Sequence, residues 1–258
     1  MLDRRHEYEK MAAVEGVHWW YRALHTLVLD AIRSHAPTPT PRIVDAGCGT
    51  GGLASFLREN GLRDLRLFDL SDEAVAWCRE RGHDAVRASL VDLRATYPAA
   101  SADVVVSNDT LCYLDPAQQE DVVRQCADVL RPGGLVVFNL PALAAFSGIH
   151  DVSVGIRQRF SKRDVPRLLE ANGFTVLRAT YWPFVLSPLI WATRAMQRRR
   201  MRRDPGFEVS SDVDLPARWM NTLFGGITRF ENRLLRRKPF GSSLFVVGSR
   251  AGVSARRP

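Results

Sequence analysis

Ile43-Val44-Asp45-Ala46-Gly47-Cys48-Gly49-Thr50-Gly51-Gly52 is the stretch on which the fold turns. Arg42–Ala46 reads as a short apolar strand carrying one carboxylate, Asp45, and a helix is predicted over Leu53–Asn60. Glycines between the two let the backbone turn sharply off the strand tip and approach a ligand closely. The helix beyond them offers free amide groups to anionic parts of such a ligand. Gly47, Gly49 and Gly52 also satisfy G-x-G-x-x-G, a pattern that many nucleotide-binding folds share. Asp45, two residues before the first glycine, sharpens the reading. A carboxylate there repels a pyrophosphate lying on the loop and suits a ligand carrying an ammonium group.

Outward from this segment, strand and helix patterns alternate. Leu65–Leu70 reads as a second strand carrying Asp69 near its end, where two ribose hydroxyls can be held. Ser71 caps a helix over Asp72–Arg81, with Asp72 and Glu73 in the first turn, where the helix dipole favours them. Ala85–Ala88, Ala102–Asn108, Leu135–Leu140 and Phe174–Tyr181 supply further strands, and Ser243–Ser249 a last one. Helices are predicted from Pro116 to Leu130, stopped by Pro132-Gly133-Gly134, and from Ser161 to Asn172. This alternation predicts a parallel, doubly wound α/β sheet. Residues 1–35 read as one helix, broken by Pro37-Thr38-Pro39-Thr40-Pro41. Between Pro183 and Gly241 lies an insertion with an apolar stretch (Phe184–Ala192), an arginine cluster (Arg198, Arg199, Arg200, Arg202, Arg203) and an amphipathic run. In that run Trp219, Leu223, Ile227, Phe230 and Leu234 recur as one helix face should.

Val44-Asp45-Ala46-Gly47-Cys48-Gly49-Thr50-Gly51 closely resembles the first motif of class I S-adenosylmethionine-dependent methyltransferases, of the bacterial small-molecule type. Asp69, Asp103-Val104-Val105-Val106-Ser107-Asn108-Asp109 and Leu130-Arg131-Pro132-Gly133-Gly134 fall in the family's order. The resemblance covers residues 42–182 and 242–250. It implies a Rossmann-like seven-stranded sheet with an antiparallel last strand, placing Ser243–Ser249 beside the fifth strand and against Phe174–Tyr181. Residues 1–41 then form an N-terminal helical cap, and 183–241 a helical insertion between strands six and seven. The resemblance further implies S-adenosyl-L-methionine as cofactor and S-adenosyl-L-homocysteine as product. Gly47, Cys48 and Gly49 would pass under the methionine part with Asp45 near its amine. Asp69 would hold the ribose, Leu70 the adenine face, and Ser89 and Leu90 the adenine edge. Asn108 and Asp109 would border the methyl-donor cleft. Two departures stand out: Ser89 replaces a common acidic residue, and Cys112-Tyr113 stand where many relatives carry Glu-His.

On the acceptor side, Tyr113 is a candidate for lining the pocket or handling a proton. His150-Asp151 is the best local pair for acid–base work, since a His beside a carboxylate can be poised near neutral pH. The aromatic run Trp19-Trp20-Tyr21 reads either as helix packing or as a lid over the cleft.

Composition bounds the alternatives. With 258 residues, 46% apolar and 25% charged, the chain suits one large domain with additions and excludes a disordered or disulfide-dense chain. The net charge of +8 comes from 36 Lys plus Arg against 28 Asp plus Glu. Only Lys10, Lys162 and Lys238 are lysines, an arginine bias that a GC-rich genome explains as well as a polyanionic partner does. No nucleic-acid partner is expected. Cys48, Cys78, Cys112 and Cys126 form no C-x-x-C pair, so no metal set is expected and reduced thiols are the simplest reading. The start Met1-Leu2-Asp3-Arg4-Arg5-His6-Glu7 leads into no apolar signal stretch, which points to the cytoplasm. The run 181–192, broken by Pro183 and Pro188, would reach ~18 Å as a helix, short of a ~30 Å hydrocarbon core. With Tyr181, Trp182, Trp191 and the arginines, 181–203 suits peripheral contact at the inner face of a membrane. The expected reaction is methyl transfer to O, N or C of a small-molecule, lipidic or natural-product acceptor. Two other classes stay open: an NAD(P)-dependent oxidoreductase, and a non-catalytic cofactor-binding or membrane-adaptor protein.

Overall fold

Apolar strands flanked by amphipathic helices assemble into a single seven-stranded sheet with helices on both faces. The computed structural model describes residues 4–203, 215–235 and 237–251. Part of the 183–241 insertion and the first three residues thus lie outside the described residues.

Helices α1 (Arg4–Val14) and α2 (Trp19–His35) precede β1 (Ile43–Ala46). Then α3 (Gly52–Glu59) leads to β2 (Leu65–Asp69), α4 (Asp72–Glu80) to β3 (Ala85–Arg87) and α5 (Leu93–Thr96) to β4 (Ala102–Asn108). Next come α6 (Pro116–Val129), β5 (Leu130–Pro141), α7 (Ile149–Val154), α8 (Asp164–Ala171) and β6 (Phe174–Trp182). Finally α9 (Ser187–Arg203) and α10 (Arg218–Leu234) stand before β7 (Ser243–Arg250).

Strand order is β3-β2-β1-β4-β5-β7-β6. The pairings are parallel except around β7, which runs antiparallel to both β5 and β6. The chain winds outward from β1 to β3 and then returns to β4 on the other side. The crevice between the C-terminal ends of β1 and β4 is therefore the switch point, where such sheets bind ligands.

Alternation along the strands divides the core between the two faces. Val44, Val105, Val136 and Phe138 pack on one side with residues of α6 and α8, while Ile43, Val104, Val137 and Phe245 pack on the other with α2 and α3. All seven residues of β4 except the terminal Asn108 are buried, as a strand covered on both faces requires. Asp115 accepts from the Gln118 amide while the Gln118 side chain accepts from the Asp115 amide, a reciprocal cap that starts α6.

Two expectations change, and a third feature gains its orientation. The N-terminal helix is two helices, because the chain turns at Glu15–Val17 and His18 caps α2, its Nδ1 accepting from the Trp20 amide. Pro132-Gly133-Gly134 does not stand between helix and strand but inside a longer β5, where the β4–β5 register shifts between Ala102 and Val104. The apolar stripe of the amphipathic run does not face the body. Trp219 is 68% exposed and Phe230 65%, whereas Thr228 and Glu231 of the same helix are fully buried.

Tyr181 and Trp182 are also corrected: both are buried and unavailable to a membrane. The Trp182 ring stacks on Trp20 at 5.4 Å, and its Nε1 donates to Asn139 Oδ1 at 2.9 Å. Trp19 meets Phe224 of α10 edge to face, so Trp19 serves helix packing, whereas Tyr21 lies near enough to Tyr113 to act on its phenol. Among the described residues no helix is long and apolar enough to cross a membrane.

Candidate active site

Four strand ends meet at the switch point. Asp45 pairs in register with Leu67 of β2 and Val106 of β4, and Asn108 pairs with Asn139 of β5. After β1 the chain folds back, so that the Gly47 and Cys48 amides both donate to Phe68 O, at 2.9 and 3.0 Å. Gly47 has φ +79°, and a Cβ there would run into the Thr110 methyl group. Glycine is therefore required by both backbone and space.

Asp45 is 2% exposed, and its Oδ2 has no hydrogen-bond partner among the described residues. Burial, with Asp69 and Glu15 adding their charge, pushes its carboxyl up to about 7. A buried carboxylate oxygen without a partner is costly. A bound cation or N–H donor would remove that cost. Asn108 Oδ1, across the crevice, is also buried without a partner among the described residues. These two orphaned oxygens fit a ligand presenting N–H groups between β1 and β4.

Asp69 Oδ2 accepts from the Gly49 amide at 2.9 Å, and Oδ1 from the Ser71 amide at 3.0 Å, with the Tyr8 hydroxyl at 3.5 Å. Burial raises its pKa against the lowering effect of these backbone bonds. A carboxylate accepts about four hydrogen bonds, so these contacts leave room for at most one more, and a diol would also have to take the place of the Tyr8 hydroxyl. Beside it Leu70 is 56% exposed, an apolar surface open to a flat ring. Ser89 and Leu90 begin a 3-10 turn after β3 and are half-buried. Cys48 is buried, with its Sγ 3.6 Å from that of Cys78; this contact and burial push its thiol up. All four cysteines are free and buried.

The acceptor side is formed by the turn after β4 and by α7. Asp109 adopts φ +53° and accepts from Asn139 Nδ2 at 3.0 Å. Burial raises its carboxyl to about 7, although Asn139 and Arg159 pull it down. Tyr113 stands in a 3-10 turn, partly exposed. Desolvation raises its phenol, as do Cys112, Asp109, Tyr8 and Tyr21. His150 and Asp151 are half-buried on α7. The Asp151 carboxylate forks with Arg159, accepting from Nε at 2.6 Å and Nη2 at 2.7 Å. Arg159, whose charge also reaches Asp109, is thus a close cationic partner of Asp151.

Sequence reasoning missed Glu15. Its Oε1 accepts from Thr50 Oγ1 at 2.5 Å and from Arg81 Nη1, and its carboxyl lies directly over Gly52 at the start of α3. Arg81 also donates to Thr50 O at 2.8 Å and Ala12 O at 3.2 Å. Met11 lies over Gly49 and Tyr8 reaches Asp69, so α1 lies across the glycine loop. Glu15 carries no local pattern that marks it, since it acts through residues 35 and 66 positions away. Its carboxylate takes the helix N-terminus where a pyrophosphate would sit. Together with Asp45 it disfavours the dinucleotide reading.

Residues 44–138 match the family model described as a methyltransferase domain. Trans-aconitate 2-methyltransferase of Mycolicibacterium gilvum is 33% identical over 129 residues, 48% of this chain and 49% of the relative. Malonyl-[acyl-carrier protein] O-methyltransferase of Enterobacter lignolyticus is 37% identical over 112 residues, 42% of this chain and 43% of the relative. The chain thus spans about half the length of the curated relatives that it matches. A SAM-dependent methyltransferase from Archaeoglobus fulgidus superposes with a TM-score of 0.56 at 15% identity, covering 88% of this chain and 94% of that one, a likeness of fold. Residues 44–138 thus match a methyltransferase domain, on a fold that the chain shares with a SAM-dependent methyltransferase.

Proposed function

We propose that the chain transfers a methyl group to O, N or C of a small-molecule acceptor. The observation that carries this reading is the pair of orphaned oxygens, Asp45 Oδ2 and Asn108 Oδ1, flanking the switch point. When bound, S-adenosyl-L-methionine supplies an electrophilic methyl group and leaves as S-adenosyl-L-homocysteine. In this proposal Asp45 takes the cofactor's amine, Gly47, Cys48 and Gly49 pass beneath its methionine part, and Asp69 holds the ribose. Leu70 supports the adenine, with Ser89 and Leu90 at its edge, and Asn108 and Asp109 border the reacting end.

The protein's own contribution is then alignment and exclusion of water. Helix α1, latched by Glu15, covers the loop. Tyr113 lines the acceptor side. For a hydroxyl acceptor a base is needed, and Asp109, held near 7 and steadied by Asn139, is poised for proton transfer at neutral pH. His150 stands as the second acid–base candidate, and Asp151 as the residue that holds Arg159.

The relatives named for trans-aconitate and malonyl-[acyl-carrier protein] make carboxylic acids the first acceptors to test. Incubation with S-adenosyl-L-methionine and a panel of carboxylic acids, phenols and amines should release S-adenosyl-L-homocysteine with at least one class. No turnover above the acceptor-free rate across lipidic and polar members would contradict the enzymatic reading. The same proposal includes the division into an N-terminal cap (1–41), a cofactor-binding body (42–182 with 242–250) and an acceptor-side insertion (183–241). It also includes a cytoplasmic location. Membrane contact within 181–203 narrows to α9, where Leu189, Trp191 and Met196 are exposed.

A further inference from the structure

Helix α10 is amphipathic with its apolar side turned outward. Apart from Phe224, which meets Trp19 edge to face, the residues that fix it to the body are polar. Asn221 Oδ1 accepts from the Trp19 amide at 2.8 Å, and its Nδ2 donates to Val17 O at 2.8 Å. Glu231, fully buried, accepts from the amides of Phe184 and Val185 at 2.7–3.0 Å and faces the buried ammonium of Lys238 at 3.6 Å. Thr228 is buried between them in sequence. At 100° per residue, Asn221, Thr228 and Glu231 share one side of the helix, roughly 120–200° from Trp219. Trp219, Leu223, Phe230 and Leu234 fall within roughly 60° of one another on another side. They are 68%, 49%, 65% and 57% exposed.

Isolated exposed apolar side chains are ordinary, but a continuous stripe of large ones marks a surface that something covers. The flank identifies what. Arg218, Arg229 and Arg233 are exposed along one edge of the stripe, and exposed Arg237 lies just beyond the helix. Glu231, the one carboxylate in α10, is turned inward and neutralised by Lys238. The outward face therefore pairs Trp, Leu and Phe with guanidinium groups over 17 residues, roughly 25 Å at 1.5 Å per residue. Such a helix lies in the plane of an anionic lipid surface, apolar side chains in the acyl boundary and cations at the headgroups.

We infer that α10 docks the protein on anionic membranes through the stripe Trp219, Leu223, Phe230 and Leu234, with Arg218, Arg229 and Arg233 at the headgroups. This does not rest on methyl transfer, and its test reads neither cofactor nor turnover.

Flotation of the full chain with vesicles of phosphatidylcholine containing about a third phosphatidylglycerol should carry it upward. Pure phosphatidylcholine should carry at least fivefold less, and raised salt should release it. Trp219→Ser with Phe230→Ser should abolish flotation, and Arg229→Glu with Arg233→Glu should abolish the preference for anionic lipid. Because these side chains are exposed, all variants should melt within a few degrees of the parent, which separates lost docking from lost folding. Absence of flotation by the parent chain overturns the inference. So does a concentration-dependent dimer in sedimentation that the Trp219/Phe230 variant abolishes, since a second copy would then cover the stripe.

Discussion

At the scale of single residues, Asp45 is held in an environment that its charge alone does not favour. Burial and two neighbouring carboxylates bring its pKa to about 7, and a ligand's ammonium group would reverse the effect. Ligand binding then releases a proton, so affinity for S-adenosyl-L-homocysteine should weaken as pH falls below about 7. The limiting slope is about tenfold per pH unit. Calorimetric titrations at pH 5.5, 6.5 and 7.5 should trace that slope in the parent chain and lose it in Asp45→Asn; a flat profile in the parent would remove Asp45 from the amine site. Asp109 makes a separate prediction. If it accepts the proton of a hydroxyl acceptor, turnover should rise with pH to a plateau above about 7. Asp109→Asn should lower kcat by about 100-fold or more while leaving cofactor affinity within a few fold. An unchanged kcat would return proton handling to His150. Asp45, Asp69 and Asp109 were legible in the sequence because each stands near or just past a strand end beside a turn. Their orphaned oxygens and shifted pKa values were not, since those depend on what packs around them.

At the scale of elements, the strands were readable as short runs rich in apolar residues, several of them closed by Asp, Asn or Gly. Ala102–Asn108 matches β4 residue for residue. Helix α10 was readable in place but not in orientation. Its stripe marks an apolar face, and a sequence cannot say whether that face meets a core or a partner. The face that anchors it combines the Phe224 ring with the polar contacts of Asn221 and Glu231. Removing one member of a buried ion pair leaves the other charge unpaired, typically a loss of about 3–5 kcal/mol. Glu231→Ala should therefore lower the melting temperature markedly, whereas Leu234→Ser on the exposed side should shift it little. Equal effects would contradict the assigned orientation. The α1 latch predicts a different readout. Glu15→Ala removes the acceptor of Thr50 and Arg81, so trypsin should cut faster at Lys10, and cofactor affinity should drop severalfold. Unchanged cleavage would mean that Glu15 does not hold α1 down.

At the scale of the whole molecule, the sheet brings together residues that the sequence keeps far apart. Asp45, Asp69, Asn108 and Asn139 come from four strands and reach one crevice only because the winding reverses between β1 and β4. The glycine loop and its flanking carboxylates are local in the chain, and for that reason the cofactor side was legible from the sequence alone. Glu15, Arg81 and Asn139 emerged only once the chain was folded. The acceptor side was least legible for the same reason, being assembled from the turn after β4 and from α7. The account's central claim is that the loop from Asp45 to Gly52 and the end of β2 hold S-adenosyl-L-methionine. Titration calorimetry of S-adenosyl-L-homocysteine against the parent chain and Asp69→Ala tests it directly. The account predicts one site per chain, weakened about 10- to 100-fold in the variant, as the loss of hydrogen bonds to a charged group requires. Equal affinity in the two proteins would contradict it.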